Sequence, residues 1–245
     1  NNHALDFGEK GRTSTMQALD AVGIRHSGRK GDVAMWPADG LNYCVIAFSP
    51  TRNSHSLLDI EPAIGLVAGL AADYDILIVS IHGGAEGVDG VERIPFGMEF
   101  AYGEKRGDVT QFARAMVEAG ADLVIGHGPH LPRAMELYRN RLIAYSLGNF
   151  ATYYGISVTG PRGYAPILLA TLNGTGKFLS GKIVSAIQVR PDGPLIDPEQ
   201  KAYAMIVKLT ELDFDGGGLL FANDGHFWPS DPRIRSLDDS MITNP

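Results

Sequence analysis

Apolar residues recur along this chain in three rhythms, and each predicts a different kind of element. The first is unbroken. Asp75-Ile-Leu-Ile-Val-Ser-Ile-His82-Gly-Gly sets a short apolar run between a charge and a glycine pair, which is the pattern of a strand buried on both faces. Asp122-Leu-Val-Ile125 is a second such strand, running into Gly126-His127-Gly128-Pro129-His130. The second rhythm is helical. Met16, Leu19 and Val22 predict a helix over 9–22 that Gly23 closes, since glycine takes the left-handed conformation without strain. The Ala-, Leu- and Gly-rich segment 61–74 predicts a buried helix with Pro62 in its first turn, where a missing N–H costs nothing. Phe112, Ala115, Met116 and Ala119 predict a third helix, capped by Asp108 and ended by Gly120. Strand, helix, strand over 75–125 is therefore a parallel crossover unit.

The third rhythm has period two and lies past His130. Residues 134–138 and 142–146 read as two strands joined by a tight turn at Arg139-Asn140-Arg141, and 165–172 with 181–190 as a second pair around Asn173-Gly-Thr-Gly176. Shorter strand candidates are 24–28 and 32–36, with a stronger one at 43–48. Asp197-Pro198-Glu199 is a helix start, and Tyr203, Ile206 and Val207 give that helix an apolar face to about residue 212. Two stretches have no period. Residues 83–107 read as a long loop after His82, and loops of that length are usually functional or mobile. Residues 213–245 read as a weakly structured tail packed on a domain formed by 1–212.

Composition narrows the classes. With 245 residues, 44% hydrophobic and 20% charged, the chain can bury a substantial core. No apolar run is long enough to span a membrane. A formal charge of −7 and a pI near 5.5 argue against nucleic acid as partner, because phosphate backbones are bound by basic surfaces. Arg and Lys could still cluster locally around an anionic substrate. The single cysteine, Cys44, sits in the run 43–48, so intramolecular disulfides are excluded and packing is its expected role. The chain opens on Asn1-Asn2-His3 without an initiating Met and reads as a processed or truncated product.

The residues with chemistry stand at element ends. Asn2 and His3 precede the first helix, His82 ends a strand, and His127 and His130 follow another. Imidazole nitrogens and amide oxygens are good ligands for Zn, Mn or Fe when three or more converge. Glycines at 83, 84, 126 and 128 allow close approach. For any one histidine, a hydrogen-bonded structural role is the simpler reading; as a set they favour a metal site.

These motifs resemble a family. Asn1-Asn-His-Ala-Leu-Asp-Phe-Gly8, Val79-Ser-Ile-His-Gly-Gly-Ala-Glu86, Ala119-Gly-Ala-Asp-Leu-Val-Ile-Gly-His-Gly-Pro-His130 and Ala144-Tyr-Ser-Leu-Gly-Asn-Phe150 are similar to the later motifs of the calcineurin-like metallophosphoesterases. The form is that of the bacterial capsule-synthesis CapA (poly-γ-glutamate biosynthesis) family. The resemblance covers roughly residues 1–170 and is specific as a set. It implies an α/β metallophosphoesterase sandwich, two mixed β-sheets flanked by helices, with the N-terminal part missing from this chain. It implies Asn2, His82, His127 and His130 as ligands of two divalent ions (Mn, Zn or Fe) and His3 as the acid that protonates the leaving group. The implied activity is hydrolysis by a metal-bound hydroxide of a phosphoester or γ-glutamyl amide bond, linked to capsule poly-γ-glutamate metabolism. The alternative is a non-catalytic capsule assembly factor that binds an anionic polymer or partner proteins. A cell-envelope or extracellular location, and membrane-associated capsule machinery as partner, follow from the same resemblance.

The remaining site expectations concern nearby residues. Glu86 and Asn149 are candidates to orient an imidazole or bind substrate, and Arg93, Arg106, Arg133 and Arg162 to hold anionic groups. Gly128 and Gly83 replace a histidine and a tryptophan frequent in the family, which predicts a more open pocket. The family's first two motifs, which supply acidic ligands, would lie upstream of Asn1, so the metal site is expected to be incomplete. His26 is read as structural, His55 as solvated in a polar loop, and His226 as a surface residue.

Overall fold

The computed structural model describes residues 1–87 and 91–236. The fold is mixed α/β, with several sheets flanked by helices, as the resemblance implies. The chain divides into two compact units, Asn1–Gly87 with Pro95–Gly128 and Val88–Ile94 with Pro129–Pro245.

The first unit is built on parallel strands. After helix α1 (Gly8–Ala21), strands β1 (Ala34–Ala38) and β2 (Leu41–Ser49) form an antiparallel hairpin around Asp39 and Gly40, both at positive φ. A short β3 (His55–Ser56) joins β2 in parallel, helix α2 (Ile60–Asp73) leads into β4 (Ile76–His82), and helix α3 (Val109–Glu118) leads into β7 (Leu123–His127). Strands β2, β4 and β7 lie side by side in parallel. Alternation sends Cys44, Ile46 and Phe48 of β2 and Leu77, Val79 and Ile81 of β4 to one face, where all six are essentially inaccessible. Helices α2 and α3 supply Ala63, Val67, Phe112 and Met116 to the core, each large apolar side chain contributing about 1.5–3 kcal/mol. Burial also pushes the Cys44 thiol pKa above its ordinary value, fitting a packing residue. Asp108 caps α3 by accepting the Gln111 N–H at 2.9 Å, and Gly120 ends it at φ +113°.

Two expectations for this unit fail. Residues 24–28 form no strand. The long loop contains a hairpin, β5 (Glu99–Ala101) with β6 (Glu104–Gly107), turned at Tyr102 and Gly103. With only three and four residues, these strands are too short to show a period.

The second unit is antiparallel. Strands β8 (Met135–Tyr138) and β9 (Arg141–Ala144) pair through Arg139 and Asn140, both at positive φ, as a two-residue hairpin requires. Strands β10 (Tyr164–Leu172) and β11 (Phe178–Val189) pair along their length, and β12 (Gly193–Ile196) adds to β11. Helix α4 (Lys201–Phe214) buries Ala202, Tyr203, Ile206, Leu209 and Thr210 on one stripe. Its start is held by Asp197, whose carboxylate accepts from the Glu199 and Lys201 N–H groups at 3.1 and 2.9 Å. The expected weak tail is a correction. Residues after 213 form β13 (Leu219–Phe221), β14 (His226–Pro229) and α5 (Pro232–Ser236), with β14 hydrogen-bonded to β11 and Phe227 fully buried. Phe227 stacks between Phe178 and Phe221, a long-range contact that no local pattern announces; the tail beyond 236 lies outside the described residues. Among the described residues, no helix is long and apolar enough to cross a membrane.

Candidate functional site

Strands β4 and β7 end together. His82 and His127 are Cα partners in the parallel register, so their side chains leave the same face of the sheet about 4.8 Å apart at the backbone. Both are partly accessible, whereas Ile81 and Gly126, one residue earlier, are buried. The strand reading thus placed both imidazoles at the carboxyl edge, where ligands of open α/β sheets collect, and β7 extends two residues further than expected, to include His127 itself.

The glycines beside them are not an opening. Gly128 (φ +136°) would place a Cβ 2.3 Å from the Gly83 carbonyl oxygen, and a Cβ on Gly83 would meet the Arg106 carbonyl at 2.9 Å and Leu57 at 3.0 Å. Backbone fills the space that a histidine or tryptophan would need, which corrects the expectation of an open pocket. The Gly83 N–H donates to the His127 carbonyl at 2.8 Å, and this bond locks the two strand ends at that separation.

In the same unit, Asn2 and His3 lie in turns before α1. The Asn2 Oδ1 is buried and has no hydrogen-bond partner among the described residues. An unmet buried amide oxygen costs about 1–3 kcal/mol, and a cation would remove that cost. His3 is exposed; its Nδ1 lies 2.9 Å from Asp6 Oδ2, which holds the ring and leaves Nε2 to exchange a proton. Glu86 is buried and ion-paired with buried Arg106 at 2.8 Å, so this arginine spends its charge on Glu86 and on Glu104 at 3.4 Å. His26 is structural: Asp32 and Asp20 flank its two nitrogens at 2.9 and 3.2 Å. His55 is a correction. It is 6% exposed, with Nδ1 bonded to the Ala47 carbonyl at 3.2 Å and Nε2 accepting the Gly31 N–H at 2.8 Å. The polar letters around it concealed a side chain that turns inward beside Phe48.

In the second unit, His130 and Asn149 define one another. Asn149 Nδ2 donates to the His130 carbonyl at 3.2 Å, which turns Oδ1 toward the ring, 2.8 Å from Nδ1. An amide oxygen only accepts, so the proton sits on Nδ1 and the lone pair on Nε2. Metal-binding histidines commonly have this arrangement. His130 also holds φ +62°, rare for a non-glycine residue and frequent at functional positions. Arg133 is 1% exposed and donates to the Val91 carbonyl at 2.6 Å, and Arg93 pairs with Asp213 and the Leu212 carbonyl. His226 is at the surface, 2.8 Å from Asp224, whose pKa it lowers by hydrogen bonding. Lys201 and Lys208, which the sequence did not single out, line a cavity with Arg162. The available signal was their spacing of seven along α4.

Two imidazoles at one sheet edge and an unmet buried amide oxygen in the same unit are donor types that suit a divalent metal. Among the described residues, no group of three or more His, Cys, Asp or Glu gathers closely enough to hold a metal ion.

The chain is thus a mixed α/β protein with histidines at the ends of adjacent parallel strands. The model of the bacterial capsule synthesis protein PGA_cap matches residues 1–154, and the chain belongs to that family. It is 30% identical to the PGA biosynthesis protein CapA of Bacillus subtilis over 73% of this chain and 47% of that protein. It is 28% identical to the capsule biosynthesis protein CapA of Bacillus anthracis over 61% of this chain and 38% of that protein. The chain thus spans less than half the length of either relative. Among solved structures, one described as "Putative 5'-Nucleotidase from Staphylococcus aureus" aligns over 80% of this chain and 35% of its own, at 13% identity and TM-score 0.39.

Proposed function

We propose that this chain carries the neutral-ligand part of a metal-dependent hydrolase site in a capsule-synthesis protein, acting on a phosphoester or γ-glutamyl amide in poly-γ-glutamate metabolism. The observation that carries the reading is the register pairing of His82 with His127 at the ends of adjacent parallel strands. Asn2, His82 and His127 are the proposed ligands in the first unit, and His130 is a proposed ligand in the second. A divalent ion held there would act as a Lewis acid and polarise the scissile group. Two further pairs of side chains would prepare a ligand and an acid. Asn149 fixes the His130 tautomer, and Asp6 orients His3 so that Nε2 can deliver a proton to a departing oxygen or nitrogen. Membership of the PGA_cap family supports the capsule setting, and the relatives' names supply the polymer.

A second reading is a non-catalytic assembly factor that binds an anionic polymer or a partner protein. The absence of a gathered His, Cys, Asp or Glu triad among the described residues favours it. Elemental analysis separates the two. It should be run on this chain and on a longer form with sequence upstream of Asn1, each beside its His127→Ala variant. About two metals per longer chain, lost in the variant, supports the hydrolase; equal, negligible metal in every sample supports the assembly factor.

A further inference from the structure

Strand β10 has one open side. Its sheet runs β10-β11-β14-β13, so β10 pairs with β11 alone. The bonds of β11 show which groups of β10 are left over. The Ile183 N–H donates to the Gly225 carbonyl at 2.9 Å, and the Ser185 carbonyl accepts from the Asp197 N–H at 3.0 Å. Both residues therefore turn their hydrogen-bonding groups away from β10. Their antiparallel partners are Leu168 and Pro166, and in a pair that is not hydrogen-bonded both members face outward. A strand proline stands this way, with its missing N–H toward the edge. Alternation extends the pattern to Ala170. The N–H and C=O groups of Leu168 and Ala170 thus point to the open side, where nothing among the described residues bonds them.

Natural edge strands are guarded by charge, proline or a bulge. Here the guards stand only at the ends, Pro166 near the start and a register shift between Thr171 and Leu172. The window between them, Ile167-Leu-Leu-Ala-Thr171, carries no charge, and Ile167 and Leu169 are 37% and 53% exposed. Leu169 is its centre, and that symmetry selects the partner. Antiparallel pairing of the window with itself, about a two-fold axis at Leu169, sets Leu168 against the partner's Ala170 and Ala170 against the partner's Leu168. All four residues face outward, so each pair exchanges two hydrogen bonds. On one face Leu169 meets the partner's Leu169, and Ile167 meets the partner's Thr171. Charge points the same way. Two copies of a chain of formal charge −7 repel, and they meet most readily where charge is absent. Lys182, which pairs with Leu169 on β11, lies three strand spacings from its own copy across the axis, about 14 Å. That exceeds the ~8 Å screening length at physiological salt.

We propose that β10 pairs edge to edge with β10 of a second copy, giving a symmetric dimer with one sheet running through both chains. A two-fold contact uses up both open edges and closes, and the opposite edge, β13, is only three residues long. The contact involves none of the proposed metal ligands and goes beyond the hydrolase reading. One shared strand edge is a small interface, so the dissociation constant is expected on the order of tens of micromolar.

Sedimentation velocity over a concentration series spanning that value tests it, with amide hydrogen exchange at the two ends of the series. The native chain passes from monomer to dimer, and exchange at the Leu168 and Ala170 amides slows as it does. Leu169→Lys and Leu169→Glu each set like charges across the axis and weaken dimerisation about tenfold or more, a loss of roughly 1.4 kcal/mol. Mixed in equal amounts, the two variants regain native-like association, because residue 169 faces its own copy only in this register. Each keeps the native thermal melting midpoint in dilute solution, since the side chain it replaces is half exposed. The proposal is overturned if the native chain stays monomeric throughout, if either variant dimerises as well as the native chain, if the mixture associates no better than its parts, or if exchange at both amides is independent of concentration.

Discussion

His82 and His127 are partners in a parallel register, each the last residue of its strand. Parallel pairing of registered residues puts both imidazoles on one face, and the Gly83 N–H to His127 carbonyl bond holds the ends together. Their geometry follows from backbone hydrogen bonding. Substituting either ring should therefore remove a ligand without disturbing the sheet: His82→Ala and His127→Ala should each lower metal uptake by the longer form while the denaturant midpoint moves by less than about 1 kcal/mol equivalent. A collapse of stability in either variant would mark that histidine as structural.

Gly128 tests how tightly the strand ends are packed. Gly128→Ala places a methyl against the Gly83 carbonyl and should cost about 3 kcal/mol or more in urea unfolding. Gly28→Ala is the control. Gly28 has a similar φ, +146°, but nothing within 4 Å of an added Cβ, so only the backbone strain remains and the cost should be about 1 kcal/mol. Equal costs at the two positions would show that the predicted clash relaxes away.

Asn149→Ala removes the acceptor that sets the His130 tautomer. If His130 is a ligand, metal affinity of the longer form should fall about 10- to 100-fold, as read by competition with a chromogenic chelator. Asn149→Asp, which keeps an acceptor beside Nδ1, should recover most of it. Unchanged affinity in the alanine variant would remove His130 from the ligand set.

Glu86 and Arg106 form a buried ion pair, in which losing one partner leaves the other charge desolvated. Glu86→Gln should destabilise the fold by about 3 kcal/mol, since breaking a buried pair costs roughly 3–5. Replacement of both residues by apolar ones of similar size should cost less than the single change. If Glu86→Gln is silent in unfolding but alters ligand binding, the carboxylate belongs to the site instead.

His55 makes stability depend on pH. Burial lowers its pKa below the ordinary 6.5, partly opposed by the Ala47 carbonyl. As pH falls the unfolded chain takes up the proton first, so the neutral folded form is favoured fully above about 6.5 and progressively less below it. Urea midpoints of the native chain should fall between about pH 7.5 and pH 5, and those of His55→Gln should fall less. Parallel curves would show that other groups account for the slope.

Much of this molecule was legible in the order of its residues. The run Ile76–Ile81 requires a buried strand, glycines at 23 and 120 end α1 and α3, and Asp108 starts α3, because each depends on contacts within a few residues. The motifs around His82, His127 and His130 likewise marked the candidate ligands. What folding in space decided is whatever joins distant segments. Polar neighbours made His55 look solvated until β3 lay beside β2. Glu86 and Arg106 sit in an aperiodic stretch, and only the β5–β6 hairpin brings them together. Phe227 was hidden in a glycine-rich tail until β14 paired with β11. The lysines at 201 and 208 were ordinary surface charges until α4 turned that flank to a cavity shared with Arg162. A sequence records local propensity directly, whereas burial and charge pairing are properties of neighbours that the chain acquires only when it closes on itself.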